Sequence, residues 1–319
     1  MSGTENDMLR LRVAQADMIA DDIRAFELVR ADGGELPEFT AGAHVAVQVP
    51  NGSLRKYSLC NDPADRDRYV IAVKGEDPGT GGSRSMVDQA KVGDDVMVSP
   101  PRNNFALVKS PAGYLFIAGG IGITPIMSMV RHLAGSGGRF KLVYCTRNVD
   151  GTPFRDELAA PALRGKVIIH HDGGDLARAY DLWPLLEQPK GQHLYCCGPR
   201  GMMAAVRDMT GHWPASAVHF EAFTEPARRK PDDRPFTVRL ARSGETVAVP
   251  VGVTILEALR AAGHAVPSSC ESGSCGTCRT ALISGEADHR DLVLAEHERH
   301  NTIMVCVSRA KSDELAIDR

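Results

Sequence analysis

The sequence predicts a multidomain protein that contains an antiparallel β-barrel, an α/β domain with a parallel sheet and an α+β domain, in that order. Short strands separated by turn residues fill the first third of the chain. Apolar strands alternate with helical stretches in the middle, and a hairpin, a short helix and a cysteine-rich loop complete it. The length of 319 residues is sufficient for two or three domains with separate cores.

The first predicted domain covers residues 1–106 and consists of short strands. The segments "IRAFELV" and "HVAVQVP" alternate apolar and polar residues, and "YVIAV" and "DVMVS" are also typical of strands. Turn-forming stretches such as "PNGS" and "RADGGELPE" lie between them. Several short strands at this spacing predict an antiparallel barrel.

The second predicted domain covers residues 107–225. Its apolar strands "YLFIA", "FKLVYCT", "KVIIHH" and "HLYCCG" alternate with helical stretches such as "TPIMSMVRHLA" and "PRGMMAAVRDMT". This alternation indicates a parallel sheet that is covered by helices on both faces. Ligands of such sheets bind at the carboxyl ends of the strands, so we expect the site of this domain there.

Residues 226–235 predict an exposed linker, because they are rich in proline and charged residues. The third predicted domain, residues 236–319, begins with a hairpin formed by "FTVRLA" and "TVAVP". A short helix follows, for which Thr254 and Glu257 predict a capping box and Gly263 a stop. The cysteine-rich loop comes directly after this helix.

Composition and charge argue against several functional classes. The chain has 43% hydrophobic and 24% charged residues, as globular proteins do, and its net charge of -3 is unlike that of a nucleic-acid-binding protein. Its first residues show no basic-then-apolar signal pattern, and its longest apolar run is interrupted by glycines and a proline. We therefore expect a cytoplasmic protein with neither nucleic-acid nor membrane partners.

The most specific motif is a set of four cysteines with the spacing C-x4-C-x2-C and one distant cysteine. They are Cys270, Cys275, Cys278 and Cys306. This is the spacing of plant-type [2Fe–2S] proteins, in which four thiolates hold two irons. Gly273 and Gly276 let the loop bring backbone N–H groups close to the cluster sulfurs. Cysteines that share no ligand and a structural zinc site are the alternatives, although zinc sites more often use two C-x2-C pairs or histidines.

The other four cysteines lack such a pattern, and no neighbouring base would activate them. They are Cys60, Cys145, Cys196 and Cys197. We expect them to be buried structural thiols.

The segment "YLFIAGGIGITPIMSMV" predicts a strand, a glycine-rich turn and a helix. Gly119, Gly120 and Gly122 would let a ligand approach the backbone. Thr124 is a natural N-cap and Pro125 a natural first helical residue, so the free N–H groups of the helix would face a pyrophosphate. A glycine-rich structural turn is the alternative, since the pattern is not G-x-G-x-x-G.

A second strand–helix junction, "LYCCGPRGMM", repeats this arrangement with Gly198 and Pro199. Two such junctions in one parallel sheet would suit a dinucleotide that lies across the strand ends.

A third candidate element is "RKYSL", residues 55–59. Arg55 would reach a flavin phosphate, the Tyr57 ring would pack on the flavin, and the Ser58 hydroxyl would bond flavin N5. Ordinary residues of a half-exposed strand are the alternative interpretation.

The stretch "GTGGSRS", residues 79–85, would bind the terminal phosphate through backbone N–H groups, with Gly82, Ser83 and Arg84 closest to it. A flexible loop is the alternative.

With these motifs in order, the chain resembles the phthalate dioxygenase reductases and vanillate demethylase reductases. These are flavoproteins of the ferredoxin–NADP reductase-like type with a C-terminal plant-type ferredoxin. The resemblance rests on "RKYSL", "GGIGITP", "CGPRGMM", "HFEAF" and "CESGSCGTC". It implies a β-grasp fold for the third domain, FMN rather than FAD, and Phe223 lying against the isoalloxazine. It also favours NADH as the electron donor. The residues after the second strand of the second domain agree, since Arg147 stands without the basic cluster that NADPH would need.

The resemblance implies that electrons pass from NADH through FMN and the [2Fe–2S] cluster to a terminal oxygenase with Rieske and mononuclear iron centres. Ser58 and Thr124 would lie near flavin N5 and the nicotinamide as the catalytic residues. Cys196 or Glu221 would touch the nicotinamide, unless these two are only a packed thiol and a surface acid.

Two other functions remain open at this point. One is an NADH–ferredoxin or cytochrome-type reductase with a different protein acceptor. The other is a non-enzymatic redox-sensing module that binds a structural metal. The sequence leaves undetermined the substrate of the partner, the oligomeric state and the redox potentials.

Overall fold

The computed structural model of the protein describes residues 8–76, 81–223, 230, 232–268, 271–274 and 276–319. The chain divides into two compact units, Met1–His219 and Phe220–Arg319. In the part of the chain that the structure describes, no helix has the length and apolar character needed to cross a membrane.

The first part of the first unit is a six-stranded antiparallel sheet with one helix. The elements are β1 (Leu9–Ala20), β2 (Ile23–Val29), β3 (His44–Gln48), β4 (Leu54–Ser58), β5 (Tyr69–Lys74), α1 (Gly82–Gln89) and β6 (Asp95–Val98). The strand order is β4-β3-β6-β1-β2-β5. Leu59, directly after β4, bridges Ile71 in β5, so the two edge strands meet and close the barrel.

The barrel core follows from alternation along the strands. Val45 and Val47 in β3 and Leu28 in β2 are fully buried, and Met86 of α1 packs into the same core. The predicted antiparallel barrel is therefore confirmed. The twelve-residue strand β1, which carries two register irregularities against β2, was not among the predicted strands.

The second part of the first unit is built around a five-stranded sheet. Its elements are β7 (Tyr114–Gly119), α2 (Ile123–Ser136), β8 (Phe140–Thr146), α3 (Arg155–Leu158), β9 (Val167–His171), α4 (Trp183–Leu186), β10 (His193–Cys197), α5 (Arg200–Met209) and β11 (Val218–Glu221). The order is β11-β10-β7-β8-β9, and the pairs β10–β7, β7–β8 and β8–β9 are parallel.

The chain first builds this sheet outward from β7 to β8 and β9 and then returns to add β10 on the other side of β7. The strand order thus reverses between β7 and β10, and the crevice at their carboxyl ends is where such sheets bind ligands. Ile126, Met127 and Val130 of α2 cover the sheet in one core with Phe116 and Tyr144.

The second unit contains a mixed sheet packed against a short helix. Its elements are β12 (Phe236–Leu240), β13 (Thr246–Val249), α6 (Ile255–Ala261), β14 (Arg279–Ser284), β15 (Ala287–Asp288), β16 (Thr302–Met304), β17 (Arg309–Ala310) and β18 (Glu314–Ile317). The order is β13-β12-β18-β14-β16, with β12 and β18 parallel. Ile255, Leu256 and Leu259 of α6 fill the core. This is the predicted β-grasp arrangement.

The local predictions for α6 hold. The Thr254 side chain accepts a hydrogen bond from the Glu257 N–H at 3.1 Å, and the Thr254 N–H donates to the Glu257 carboxylate at 2.9 Å. Gly263 follows the helix with φ 87°, the left-handed conformation that ends many helices.

The predicted exposed linker, residues 226–235, is wrong for Asp233. Its side chain is only 4% exposed and forms an ion pair with the equally buried Arg290, and Arg309 lies 3.7 Å from the same carboxylate. Since a buried carboxylate needs a partner, these two arginines explain why an acidic residue of this segment lies against the second unit. Residues 226–229 and 231 lie outside the described part of the chain.

Candidate functional site

Strand β4 carries the residues predicted to bind a flavin. Arg55 and Tyr57 share one face of the strand because side chains alternate, and Ser58 ends it as a buried residue opposite His44. The Tyr57 hydroxyl is buried and has no hydrogen-bond partner among the described residues. Burial raises the pKa of Tyr57 to about 12, so this hydroxyl keeps its proton at neutral pH. A buried donor without a partner fits a ligand rich in oxygen atoms, as a flavin is.

The side chain of Arg55 lies against the first residue of α1. A Cβ atom on Gly82, the first residue of α1, would lie 2.5 Å from the Arg55 Nε, so a larger residue there would displace this guanidinium from its present position. Gly81 before it has φ 76°. A cationic side chain beside the positive end of a helix favours an anion such as a phosphate group.

Ser83 and Arg84 are also part of α1, but the structure gives them further contacts. The Ser83 hydroxyl accepts a hydrogen bond from the Glu76 N–H at 3.2 Å. Arg84 lies 3.4 Å from the Asp22 carboxylate, in the β1–β2 turn, and its guanidinium packs against Gly75. Asp22 was not among the residues predicted from the sequence, and its φ of 55° is unusual for a residue with a side chain. Residues 79 and 80 of the predicted phosphate loop lie outside the described residues.

The two glycine-rich junctions touch each other at the carboxyl ends of β7 and β10. A Cβ atom on Gly119 would lie 2.5 Å from the Pro199 Cδ, and one on Gly198 would lie 2.9 Å from the Gly119 Cα. A Cβ on Gly122 would lie 2.5 Å from the carbonyl carbon of Cys197. These three glycines therefore bring the loops together, as well as shaping the crevice at the reversal of strand order.

Gly120 differs from the other three glycines. Its φ is 54°, and nothing lies within 4 Å of the position that a Cβ would take. It is therefore the glycine of this loop whose backbone has open space for a ligand.

The structure corrects the predicted start of α2. The helix begins at Ile123 with Gly122 as its N-cap, so Thr124 is not the N-cap and Pro125 is not the first helical residue. The loop passes through a single 3-10 turn, Gly120–Gly122, which starts the helical path two residues early. Thr124 is buried, and its hydroxyl donates to the Ile121 carbonyl at 3.0 Å.

The residues predicted to touch the nicotinamide are placed as follows. Cys196 is fully buried in β10, and burial raises the pKa of its thiol, so it stays protonated. Glu221 is the last residue of β11 and is partly buried. Phe223 follows that strand with 42% of its surface exposed, which is unusual for a phenylalanine.

The cluster-binding loop lies at one end of the β14–β16 pair. Arg279 pairs with Met304, so Cys278 and Cys306 come from neighbouring positions on the two chain segments, and both are buried. Gly273 and Gly276 have φ 76° and 80°, and a Cβ on Gly273 would lie 2.8 Å from Val307. Buried thiols beside a glycine-turned loop fit a [2Fe–2S] cluster. Cys270 and Cys275, the other predicted ligands, lie outside the described residues.

Three of the remaining cysteines are buried as predicted, and Cys145 is only partly so. Cys60 and Cys197 are buried like Cys196, and Cys145 is half-buried at the end of β8. Burial raises the pKa of Cys60 to about 12 and that of Cys145 to about 11, which argues against a thiolate nucleophile in either.

Comparisons with known proteins agree with this geometry. Residues 238–311 match the family described as the 2Fe-2S iron-sulfur cluster binding domain. The chain is 54% identical over 316 residues to the phthalate dioxygenase reductase of Burkholderia cepacia, which covers 98% of each chain. The chain belongs to the phthalate dioxygenase reductase family.

Two further comparisons support this membership. The phthalate 4,5-dioxygenase oxygenase reductase subunit of Pseudomonas putida is 54% identical over 310 residues, with 97% of this chain and 96% of that protein covered. A solved structure of phthalate dioxygenase reductase, described as modular for electron transfer from pyridine nucleotides to [2Fe–2S], matches with a TM-score of 0.76 and 53% identity, covering 100% of both chains.

Membership confirms the predicted family, fold class and enzyme class, since these relatives are reductases. It also confirms the predicted cofactors of the family, which are FMN, NADH and a [2Fe–2S] cluster. The roles of the individual site residues and the domain boundaries stay predictions.

Proposed function

We propose that this chain is the NADH-dependent reductase component of a two-component oxygenase system and delivers electrons to a terminal Rieske-type oxygenase or demethylase. The observation that carries this proposal is the combination, in one chain of this family, of a flavin-type barrel, a crevice between β7 and β10, and a cluster loop. When bound, FMN accepts a hydride from NADH and supplies single electrons to the [2Fe–2S] cluster.

In the barrel, Arg55 and the N-terminus of α1 at Gly82 and Ser83 would hold the FMN phosphate, with Arg84 as a second cation. The two positive groups would offset the charge of a phosphomonoester. Tyr57 would donate a hydrogen bond from its buried hydroxyl to the flavin. Ser58, the predicted partner of N5, would orient the ring from the end of β4.

In the crevice, the open backbone at Gly120 would accept the pyrophosphate of NADH, with Gly198 and Pro199 on the opposite side. The packing of Gly119 and Gly122 against the second loop would fix the width of this crevice. Thr124 and Pro125 would shape the floor beside the nicotinamide. Cys196 would contribute packing, and Phe223 would cover the isoalloxazine until nicotinamide replaces it.

In the second unit, four thiolates would hold the cluster. They are Cys270, Cys275, Cys278 and Cys306. We place the domains at residues 1–106, 107–225 and 236–319, joined by residues 226–235. We also propose a cytoplasmic location, where NADH is available and free thiols persist.

Purified holoprotein with NADH and a set of Rieske-type oxygenases tests this function. We expect about two irons and two acid-labile sulfides per chain, bleaching of the visible spectrum by NADH, and NADH-dependent substrate conversion with a partner oxygenase. Reduction of cytochrome c with no conversion by any oxygenase would favour the reductase with a different acceptor. A colourless, zinc-containing protein would instead point to the redox-sensing module.

A further inference from the structure

The cluster loop contains a left-handed residue that is not glycine. Glu271, which directly follows Cys270 in the sequence, has φ 56° and is one of three residues with a side chain that have a positive φ in the described part of the chain. Left-handed backbone is sparsely populated by residues with a Cβ, so such a residue persists only where its surroundings hold it. Glycine would adopt this conformation freely, and the loop uses glycine for the same purpose at positions 273 and 276.

The side chain of Glu271 hydrogen-bonds two side chains that lie earlier in the sequence. The Arg260 Nη2 donates to the Glu271 Oε1 at 2.9 Å, and the Ser268 hydroxyl donates to the same oxygen at 2.9 Å. Arg260 also hydrogen-bonds Ser268, so the three side chains form a closed triangle. We call these three residues the loop latch.

The loop latch is anchored on a rigid element. Arg260 lies in the last turn of α6, whose first turn is fixed by the Thr254–Glu257 capping box. Leu256 and Leu259 of the same helix are buried in the core of the second unit. A helix fixed at both its start and its apolar face gives Arg260 a stable position from which to hold the loop.

The other side of the loop is fixed by backbone contacts. The Leu292 N–H donates to the Gly273 carbonyl at 2.9 Å, and Gly273 packs against Val307, the residue after Cys306. The stretch from Glu271 to Gly273 is therefore held at its first residue by side chains and at its last by close packing. A change at Glu271 would alter the path of the backbone next to a predicted cluster ligand.

We propose that Arg260 and Glu271, with Ser268, are positioning residues for the [2Fe–2S] cluster. The loop latch holds the left-handed turn at Glu271 and so determines how firmly the loop retains the cluster and how its backbone N–H groups meet the cluster sulfurs. This inference rests on the proposed function, because it requires a cluster in this loop. It assigns a role in cluster retention to a partly exposed ion pair, a kind of interaction that usually contributes little to the stability of the fold.

The experiment measures cluster release from anaerobic full-length holoprotein, as the decay of visible absorbance in the presence of an iron chelator. Glu271→Ala keeps the strained backbone without the loop latch, and Arg260→Leu removes the donor without changing the loop. We expect both to release the cluster about fivefold faster than the natural chain. Glu271→Gly removes the strain together with the latch, so its release rate should stay within about twofold of the natural rate.

Arg242→Leu is the matched control. Arg242 makes two hydrogen bonds to Asp318, at 2.8 and 2.7 Å, on the surface of the same unit, and its loss should leave the release rate unchanged. The electron paramagnetic resonance spectrum of the reduced cluster gives a second readout, whose g values should shift in Glu271→Ala and Arg260→Leu but not in the control. The rate of flavin reduction by NADH should be the same in all four variants.

Natural rates of release and natural spectra in both Glu271→Ala and Arg260→Leu would overturn the inference. So would a Glu271→Gly variant that releases the cluster as fast as Glu271→Ala, because the backbone conformation would then be irrelevant. Since Arg260→Leu leaves the loop sequence intact, it decides the question even if Glu271→Ala cannot be loaded. Absence of iron and sulfide from the natural chain would instead contradict the proposed function itself.

Discussion

The two units of the molecule fix their binding loops in different ways. In the first unit, the two glycine-rich junctions at the ends of β7 and β10 are held by direct packing, where Gly119, Gly122 and Gly198 leave no room for a Cβ atom. In the second unit, the cluster loop and the preceding segment are held largely by polar side chains. Glu271 binds Arg260, and the buried Asp233 binds Arg290.

Because the two regions are held by different forces, they should tolerate different perturbations. A packed loop should be sensitive to a single added methyl group and insensitive to acid, since no charge holds it. A loop region held by charged side chains should respond to loss of charge and to low pH.

The largest effect is expected at Asp233. Asp233→Asn removes the carboxylate beside the buried Arg309 and leaves the buried Arg290 with the Asp288 carboxylate, which should destabilise the second unit by about 3 kcal/mol. Urea unfolding of the holoprotein, followed by the visible absorbance of the cluster, measures this change. Asp232→Asn is the control, because Asp232 is the exposed neighbour, and it should change stability by less than about 0.5 kcal/mol. Equal effects of the two substitutions would refute a structural role of the buried carboxylate.

Acid should weaken the same region. Burial tends to raise the pKa values of Asp233 and Asp288, but hydrogen bonds from Arg290, and for Asp288 also from Lys230, outweigh it and lower both pKa values overall. Carboxylates with lowered folded-state pKa values stabilise the fold above their unfolded value of about 4, and this contribution is lost as the pH falls through the folded-state pKa. The urea concentration at which the second unit is half unfolded should therefore decrease as the pH drops below about 4. This decrease should be less steep in Asp233→Asn. An equally steep decrease of the midpoint in the natural chain and in Asp233→Asn would show that Asp233 is not responsible for the acid sensitivity.

A smaller effect is expected in the glycine-rich junctions at the ends of β7 and β10. Gly122→Ala would force a methyl group into the Cys197 carbonyl, which should cost about 1–3 kcal/mol and raise the KM for NADH. Gly201→Ala in α5 is the control, since nothing lies within 4 Å of its Cβ position, and it should be neutral or stabilise by up to about 1 kcal/mol. Thermal unfolding midpoints and the KM for NADH, measured for both variants, distinguish Gly122→Ala from Gly201→Ala. A tolerated Gly122→Ala would show that the loops are not held by packing.

The smallest effect is expected at the His193–His219 pair in the first unit. The His193 Nδ1 and His219 Nε2 lie 2.9 Å apart, and His219 stacks on the Tyr195 ring. Burial and the His193 ring lower the pKa of His219 to about 4. Between that value and the unfolded value near 6.5, the unfolded chain binds more protons, so stability rises with pH across this window.

His219→Gln should remove this pH dependence of stability. Between pH 7 and pH 5, the variant should lose about 1 kcal/mol less stability than the natural chain, a value that allows for the partial exposure of the pair. Thermal unfolding midpoints at several pH values measure it. The prediction is wrong if the natural chain and the variant lose stability equally over this range.

Much of this architecture could be predicted because local patterns determine it. The strand "IRAFELV" became β2 at its predicted limits, and Thr254, Glu257 and Gly263 built the helix termini expected of them. Strand β1 escaped prediction because it is largely exposed and twice irregular in register, so its alternation is weak.

The missed features depend on contacts between distant segments. The burial of Asp233 requires the ion pair with Arg290. Arg290 lies 57 positions later in the sequence and meets Asp233 only in the folded unit. Composition alone therefore predicted an exposed linker. Likewise, the sequence showed glycines at positions 119, 122 and 198 but not that they pack against one another, since that follows from the adjacency of β7 and β10.

Removal of one predicted cluster ligand, Cys306, tests most directly whether electrons leave the flavin through the cluster. Anaerobic NADH is added to the natural chain and to Cys306→Ser, and flavin absorbance and the electron paramagnetic resonance of the reduced cluster are recorded. We expect both proteins to bleach, but only the natural chain to show the cluster signal and to reduce a protein acceptor, with the rate of acceptor reduction at least about 100-fold lower in Cys306→Ser. Unchanged acceptor reduction by Cys306→Ser would contradict the account.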